Sequence, residues 1–425
     1  MPSSEPQGYN AASAAPARPF PRLTGSASTD ICIIGGGYTG LSAALRLAEA
    51  GAQPMLVEAE TIGFGASGRN GGQIHTGLRK DQADLEKWLG PGHARDLWTL
   101  TEESKALVRT LIGRHGIVCA LKDGLVIAAH SDKALAHLAE DTAYLAEHYG
   151  YDAARMMDAA ETREKLGTAI YPGARLDLGG GHLHPLDYAR GLAAAADDKG
   201  AMLWEHSPAL SLEAHSNAVE IRCGGGTVTA KQVLLACDAF SGRIAPQLEP
   251  YIGHVESFVA ATTPLPPHLA ERIVPSDVAV ADTRHVLDYY RKSRDGRLLF
   301  AGRESYFKPP RDIAALVRPR MLRVFPELKD VRLEYAWSGT VGITRTRMPH
   351  LGEISPRIRF AHGYSGQGVA LATLGGELLA EAAMGQYERF DVFARVPAKR
   401  FPGGGLLKQA LVSAALYAFK IQDRI

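Results

Sequence analysis

The sequence predicts an α/β fold. A Rossmann-type nucleotide-binding domain is assembled from discontinuous segments and accompanied by an α+β domain with an antiparallel sheet. Three observations predict it. Residues 30–40 run from an apolar strand through a glycine turn into a helix, and a second apolar strand ends at Glu58. From Val255 onward the pattern becomes antiparallel, with Asp295-Gly296 joining two strands. Residues 357–362 then lead through Gly363-Tyr364-Ser365-Gly366-Gln367-Gly368 into a helix over 369–383, repeating the opening order.

The opening unit has strands at 31–34 and 54–58 around a crossover helix at 38–50. Gly35 permits the tight turn, Gly37 lets backbone approach a pyrophosphate, and Gly40 allows the helix to pack closely on the strand. The helix starting near Tyr38 and Thr39 aims its free N–H groups and dipole at the phosphates. Glu58, 18 residues after Gly40, can accept from both ribose hydroxyls and would repel a 2′-phosphate. The ligand should therefore be FAD or NAD, not NADP. The next segment, 63–73, holds five glycines, cannot be an ordinary helix or strand, and brings backbone close to something.

Further along, a helix is expected over 94–115 and paired strands over 117–120 and 124–130 around a Lys122-Asp123-Gly124 turn. Helices follow at 131–148, capped by Ser131, and from Asp158, with Glu161 at capping-box spacing. His184-Pro185 opens an alanine-rich helix ending at Gly200, and 202–205 is the next parallel strand. Short strands are read at 219–222, 227–230 and 232–236, the first two joined by the Gly224-Gly225-Gly226 turn. The hairpin strands are 286–292 and 297–301, followed by a helix at 313–325 and a long strand at 331–343.

With 425 residues, 46% of them hydrophobic and 22% charged, the chain is globular and too long for one simple core. A net charge of +1 gives no footprint for nucleic acid. Cys32, Cys119, Cys223 and Cys237 form no CxxC pair, so buried thiols in a reducing cytoplasm are expected, and no metal-ligand spacing occurs. Residues 1–28 lack a signal-peptide core and read as an extended arm. The apolar stretch 406–419, broken by Lys408 and Gln409, is too short to span a bilayer and reads as a docked terminal helix.

From residue 30 to about 383 these segments resemble the FAD-dependent amine oxidoreductases of the D-amino-acid oxidase superfamily. A finer likeness, to members acting on γ-glutamylated ω-amines of polyamine breakdown, rests on four segments. These are the leader around Tyr9-Asn10-Ala11-Ala12-Ser13-Ala14, the loop 65–73, Thr344-Arg345-Thr346-Arg347-Met348-Pro349-His350, and the tail pieces 389–393, 401–404 and 417–423. The resemblance implies FAD as cofactor, expected to be noncovalent because no cysteine follows Cys237 to make the late cysteinyl link of some relatives, with histidyl attachment through His75, which follows the ring-side loop, as the alternative. Gly35, Gly37, Tyr38, Thr39 and Gly40 would cradle its pyrophosphate, and Glu58 with Ala59 its ribose. Gly65, Ala66, Ser67, Arg69, Asn70, Gly71, Gly72 and Gln73 would run beside the flavin ring, with Gly339, Gly366, Gln367, Gly368 and Val369 near it. The implied domains are an FAD-binding domain from 29–85, 180–240 and 340–385, a substrate domain from 86–179 and 241–339, and a C-terminal helical tail at 386–425.

The implied reaction removes a hydride from the carbon bearing an amine and yields aldehyde and ammonia, γ-glutamylputrescine being the expected substrate. His75, Trp337, Tyr364 and Gln367 are the catalytic candidates, each with packing beside the flavin as the alternative role. Tyr289 and Arg291 on the hairpin, with Arg303 and Glu304 after it, are the substrate-binding candidates. An arginine can clamp a carboxylate and a glutamate can hold an ammonium. Arg347 is expected to order its loop and not to touch substrate. His182 and His184 are expected to close a strand and cap a helix, with a site pair as the alternative. Oxygen is the expected acceptor, giving hydrogen peroxide. The lysine that sarcosine-oxidase relatives place over the flavin has no counterpart in 298–303, which leaves an electron carrier as the alternative. The competing functions are oxidation of glycine, sarcosine or a D-amino acid, and a noncatalytic flavoprotein subunit.

Overall fold

The computed structural model describes residues 8–305 and 311–402, excepting the side chain of residue 303. Ile31, Cys32, Ile33 and Ile34 are all buried, the continuous apolar run of a parallel strand covered on both faces. They belong to the strand Gly25–Ile34 at the heart of an eight-stranded sheet. Gly226–Leu235 pairs with it on one side and Met55–Val57 on the other, both parallel. Met202–Trp204 and Ile358–His362 extend the parallel order outward, and His350–Ser355 closes one edge antiparallel.

Two apolar layers sandwich this sheet. Ile31 and Ile33 face Leu41, Leu45, Leu192 and Leu371, contributed by the helices Tyr38–Glu49, Pro185–Asp198 and Gly368–Ala383. Cys32 and Ile34 belong to the opposite layer, with Ile221, Val228, Leu248 and Phe360. A Cβ on Gly40 would lie 1.9 Å from the Gly35 carbonyl oxygen, so glycine there sets how closely helix and strand approach.

The second sheet has nine strands. Leu333–Ile343, Gly253–Thr262, Leu298–Ser305, Tyr289–Lys292 and Ala279–Asp282 run antiparallel in that order. Lys122–Ala128 then joins Ala279–Asp282 in parallel, and Ala174–His182 and Gln73–Ile74 complete the row. Phe258, Tyr290, Phe300 and Phe325 pack its core with Met321 of the helix Ile313–Val324.

Several local expectations are corrected. Residues 117–120 are not a strand, and Lys122–Ala128 is a single strand instead of a turn followed by one. Gly124, with φ +98°, sits where the pairing with Ala174–His182 shifts register, so its glycine marks a bulge. The segment 226–235 is one strand, not two. The N-terminal arm is not wholly extended: Tyr9–Ser13 is a one-turn helix, and Gly25–Ile34 begins within the arm. The glycine-rich loop contains a short helix, Ala66–Arg69. Ser131 and Asp158 cap their helices as expected, accepting from the Ala134 and Glu161 N–H groups. The expected helix over 406–419 lies outside the described residues. Among the described residues no helix is long and apolar enough to cross a membrane, and no group of His, Cys, Asp and Glu could hold a metal ion.

Candidate active site

The carboxyl ends of the parallel strands open into a cavity of about 660 Å³. Ile34, Val57 and Ala236 mark three of those ends on its wall. Neighbours on either side of Gly25–Ile34 continue in opposite directions there, which is where open α/β sheets bind ligands. The cavity reaches from this edge to the second sheet, where Ser257, Tyr289 and Glu304 line it.

At the first-sheet end Gly35, Gly37, Tyr38 and Thr39 form the wall. Gly35 has φ +112°, and a Cβ there would lie 2.6 Å from the Ala236 carbonyl oxygen, so the turn needs glycine. Gly37 is the N-cap of Tyr38–Glu49, and the Ser67 hydroxyl accepts from the Tyr38 N–H at 3.0 Å. The N–H groups of Thr39 and Gly40 have no acceptor within the helix, as at any helix start. Gly40 itself does not line the cavity; it is the spacer behind it. Glu58 lines the wall with Ala59, accepting from the N–H of Gly36 at 2.6 Å and of Glu60 at 2.9 Å. Burial raises its pKa, and each oxygen keeps a lone pair for a further donor.

The loop from Gly65 to Gln73 forms the next stretch of wall, through Gly65, Ala66, Ser67, Arg69, Asn70, Gly71 and Gln73. Five successive carbonyls of this loop are held from behind. Asn10 Nδ2 donates to those of Gly68 and Asn70, Trp337 Nε1 to Arg69, Arg291 Nε to Gly71 and the Leu183 N–H to Gly72. The Asn70 side chain pins the loop on itself, donating to the Ala66 and Ser67 carbonyls and accepting from the Gly72 N–H. Gly72, with φ +78°, is set back from the wall, and a Cβ there would be 1.9 Å from the Leu183 carbonyl oxygen.

A second helix start faces the same space. Tyr364, Gly366, Gly368 and Val369 line it where Gly368–Ala383 begins, and Tyr364 OH bonds Thr39 Oγ1 at 2.8 Å, tying the two helix starts together. Gln367 caps this helix but is absent from the wall. Gly339 lines the cavity against Arg69. Asp238, which the sequence reading missed, also lines it and accepts from the Gly342 and Gly363 N–H groups. It follows the end of a parallel strand, the place where the topological rule directs attention.

Two candidates change role. Trp337 is buried, its indole N–H committed to the Arg69 carbonyl, and it lies outside the cavity wall. Arg291 is buried too, its guanidinium donating to the carbonyls of Gly71, Leu183 and Lys292, so it supports the loop and is not free for substrate. The side chain of Arg303 lies outside the described residues. His182 ends a strand, with Nε2 beside the Asp277 carbonyl. His184 caps Pro185–Asp198 by accepting from the Asp187 N–H, and neither lines the cavity.

At the second-sheet end His75, Arg79, Tyr289, Glu304 and Arg347 line the wall together. Burial, assisted by the Arg79 charge, holds the His75 imidazole down to about 4, so it is neutral at physiological pH. Burial pushes the Tyr289 phenol up to about 12, and its hydroxyl bonds Ser257 Oγ at 3.2 Å. Arg79 and Arg347 were not among the expected substrate residues.

The residues present fit FAD. Two helix starts, an acidic residue at the end of the second parallel strand, and open space before Gly65 and Gly366 match a long ligand with anionic and ribose portions.

A family model described as FAD dependent oxidoreductase matches residues 30–382. Gamma-glutamylputrescine oxidoreductase of Escherichia coli K12 is 39% identical over 98% of each chain. Probable oxidoreductase OrdL of Rhizobium meliloti is 39% identical over 96% of each. The crystal structure of glycine oxidase from Geobacillus kaustophilus superposes with a TM-score of 0.73 at 22% identity, over 85% of this chain and 95% of that one, a likeness of fold. With its dinucleotide turn, its second helix start and relatives aligned over nearly the whole length, the chain belongs to the FAD-dependent oxidoreductase family.

Proposed function

We propose that the chain oxidises a terminal amine of γ-glutamylputrescine or a related ω-amine, releasing aldehyde and ammonia. The observation that carries this reading is the second-sheet end of the cavity, where arginine and glutamate side chains stand beside a neutral imidazole and a phenol. A substrate bearing both signs of charge matches that wall. A relative aligned over 98% of its length is a gamma-glutamylputrescine oxidoreductase.

FAD, when bound, supplies the hydride acceptor, so that the amine carbon becomes an imine that water hydrolyses. The protein orients the amine in its neutral form, its proton having gone to water, since a protonated amine is a poor hydride donor. In this reading neutral His75 accepts a hydrogen bond from the free amine on an imidazole nitrogen. Tyr289, held by Ser257, fixes the substrate against the loop. Gly37, Thr39 and the first turn of Gly368–Ala383 hold the cofactor's anionic portions, and Glu58 its ribose. Noncovalent attachment is supported by Cys237, the cysteine on the cavity wall, whose thiol burial pushes up to about 12. Four free cysteines support a reducing, cytoplasmic setting. Oxygen is the proposed acceptor.

The test is anaerobic mixing of the purified holoprotein with γ-glutamylputrescine, putrescine, sarcosine, glycine and D-amino acids while the flavin band is followed. Bleaching by γ-glutamylputrescine supports the reading, and recovery in air with hydrogen peroxide release supports oxygen. Bleaching only by a small amino acid would overturn the substrate class.

A further inference from the structure

Two arginines at the second-sheet end of the cavity stand apart from the rest. Among the described residues, neither the Arg79 nor the Arg347 guanidinium makes a hydrogen bond or an ion pair, whereas most other arginines of the chain are committed to carbonyls or carboxylates. They come from separate parts of the chain, Arg79 beyond the strand Gln73–Ile74 and Arg347 in the turn after Leu333–Ile343. Both guanidinium groups line the same cavity, where the Arg79 side chain is open to solvent, and they are close enough for the Arg347 charge to oppose, and the Glu304 charge to favour, the charged form of Arg79. Arg347 also holds a left-handed backbone, φ +63°, which costs an arginine conformational energy.

Two like charges lining one cavity repel, and an anion placed between them relieves that repulsion. Guanidinium groups bind carboxylate through paired N–H donors. Glu304 stands within the same electrostatic neighbourhood, offering the complementary charge for an ammonium. The Arg79 and Arg347 guanidinium groups, with the Glu304 carboxylate lining the same cavity, match an α-amino acid headgroup. The pyrophosphate cradle is elsewhere, at the glycine turn.

We infer that Arg79 and Arg347 together bind the α-carboxylate of a substrate whose oxidised amine lies at its other end, with Glu304 facing the α-ammonium. This rests on the proposed reading of the cavity as the amine site, and it gives Arg347 a substrate contact where the sequence reading expected loop ordering. The γ-glutamyl group is then the recognition element, and a bare diamine such as putrescine binds weakly.

The probe is γ-glutamyl-n-butylamide, which keeps the headgroup and has no oxidisable terminal amine. Its counterpart, 4-aminobutyryl-n-butylamide, lacks the α-carboxylate. Both are titrated into the holoprotein by flavin-band difference spectra. The carboxylate form should bind about tenfold tighter or more in the unmodified protein, the scale of a charge-assisted pair of hydrogen bonds. Arg79→Met and Arg347→Met should each abolish most of that preference while leaving the counterpart's affinity unchanged, and Arg79→Lys should keep part of it.

Equal binding of the two probes by the unmodified protein would overturn the inference without recourse to a variant. So would an undiminished preference in both methionine variants, or a raised FAD dissociation constant with unchanged probe binding. If γ-glutamylputrescine fails to bleach the flavin while the probe still binds through the arginines, the oxidation reading fails and the carboxylate site stands. If γ-glutamylputrescine bleaches it but both arginine variants keep the unmodified KM, the reverse holds.

Discussion

Asn10 reaches across 60 residues of sequence to Asn70, its Nδ2 donating to the Asn70 carbonyl at 3.0 Å and to the Gly68 carbonyl at the same distance. One buried side chain of the N-terminal turn thus holds the loop that walls the cavity. Asn10→Ala leaves two inward carbonyls without their donor, at a cost of about 2 kcal/mol or more. The expected result is a lower melting temperature together with a raised FAD dissociation constant, measured by titrating apoprotein with FAD. A lower melting temperature with unchanged FAD affinity would show that this loop does not set cofactor binding.

Arg291 supports the same loop from the other side. Its guanidinium is buried, which lowers its pKa to about 10 and still leaves it charged at neutral pH, with carbonyls supplying the solvation that water would otherwise give. Arg291→Met removes charge-assisted bonds of about 1.5–3 kcal/mol each. Thermal melts and FAD content should fall together. A variant that melts normally and shows only a raised KM for substrate would restore Arg291 to the substrate-binding role that its place on the hairpin first implied.

Gly40 tests the steric logic of the dinucleotide turn. A Cβ there would meet the backbone carbonyl of Gly35 at 1.9 Å, and backbone cannot swing aside as a side chain can. Gly40→Ala should therefore yield protein that purifies without FAD or does not fold. Gly113→Ala is the control: it lies in the helix Pro91–His115 with nothing within 4 Å of the added Cβ, and should stabilise by about 0.5–1 kcal/mol. Normal FAD content in Gly40→Ala would mean that helix and strand can separate without losing the site.

The cofactor end of the cavity was legible because its signals are local. Gly35, Gly37 and Glu58 lie within one βαβ unit, so spacing alone predicts their proximity. The substrate end was not, because its residues converge from distant segments: Arg79, Tyr289, Glu304 and Arg347 meet only through sheet pairing and loop placement. Trp337 and Arg291 misled for a related reason. The sequence reading put Trp337 beside the flavin ring and Arg291 at the substrate, whereas their hydrogen bonds to the Arg69 and Gly71 carbonyls put both behind the loop. Glycine clusters also hid strands. Ala174–His182, whose range the sequence reading did not assign, contains Gly179-Gly180-Gly181, and glycine is a weak strand former. In the fold a Cβ on Gly181 would lie 2.4 Å from the Lys122 carbonyl oxygen, so glycine is what lets the strand pair there.

Buried and half-buried histidines give the last prediction, a stability that depends on pH. Burial holds His75, His182 and His350 down to about 4, and His362, against His350 Nδ1 at 2.9 Å, further below its ordinary value. In the unfolded chain each titrates near ~6.5. Between those values the unfolded state binds more protons, so stability is highest above about pH 7 and is lost as pH falls towards 4. Asp282 works in the other direction. Burial and the Asp288 charge raise its carboxyl to about 6, so the folded state takes up that proton first and gains stability as pH falls through this range. Glu58, Asp81, Glu102, Asp238 and Glu381, also raised by burial, work in the same direction as Asp282. Between pH 7.5 and 5.5 the histidines set the slope, because that interval spans their unfolded value of ~6.5. The melting temperature of holoprotein should therefore decline from pH 7.5 to 5.5, and His75→Gln should make the decline shallower by removing one proton's linkage. A melting temperature that is flat or rising over that interval would mean that the histidines are charged in the folded protein, and with them the neutral His75 that the proposed amine contact needs would be lost.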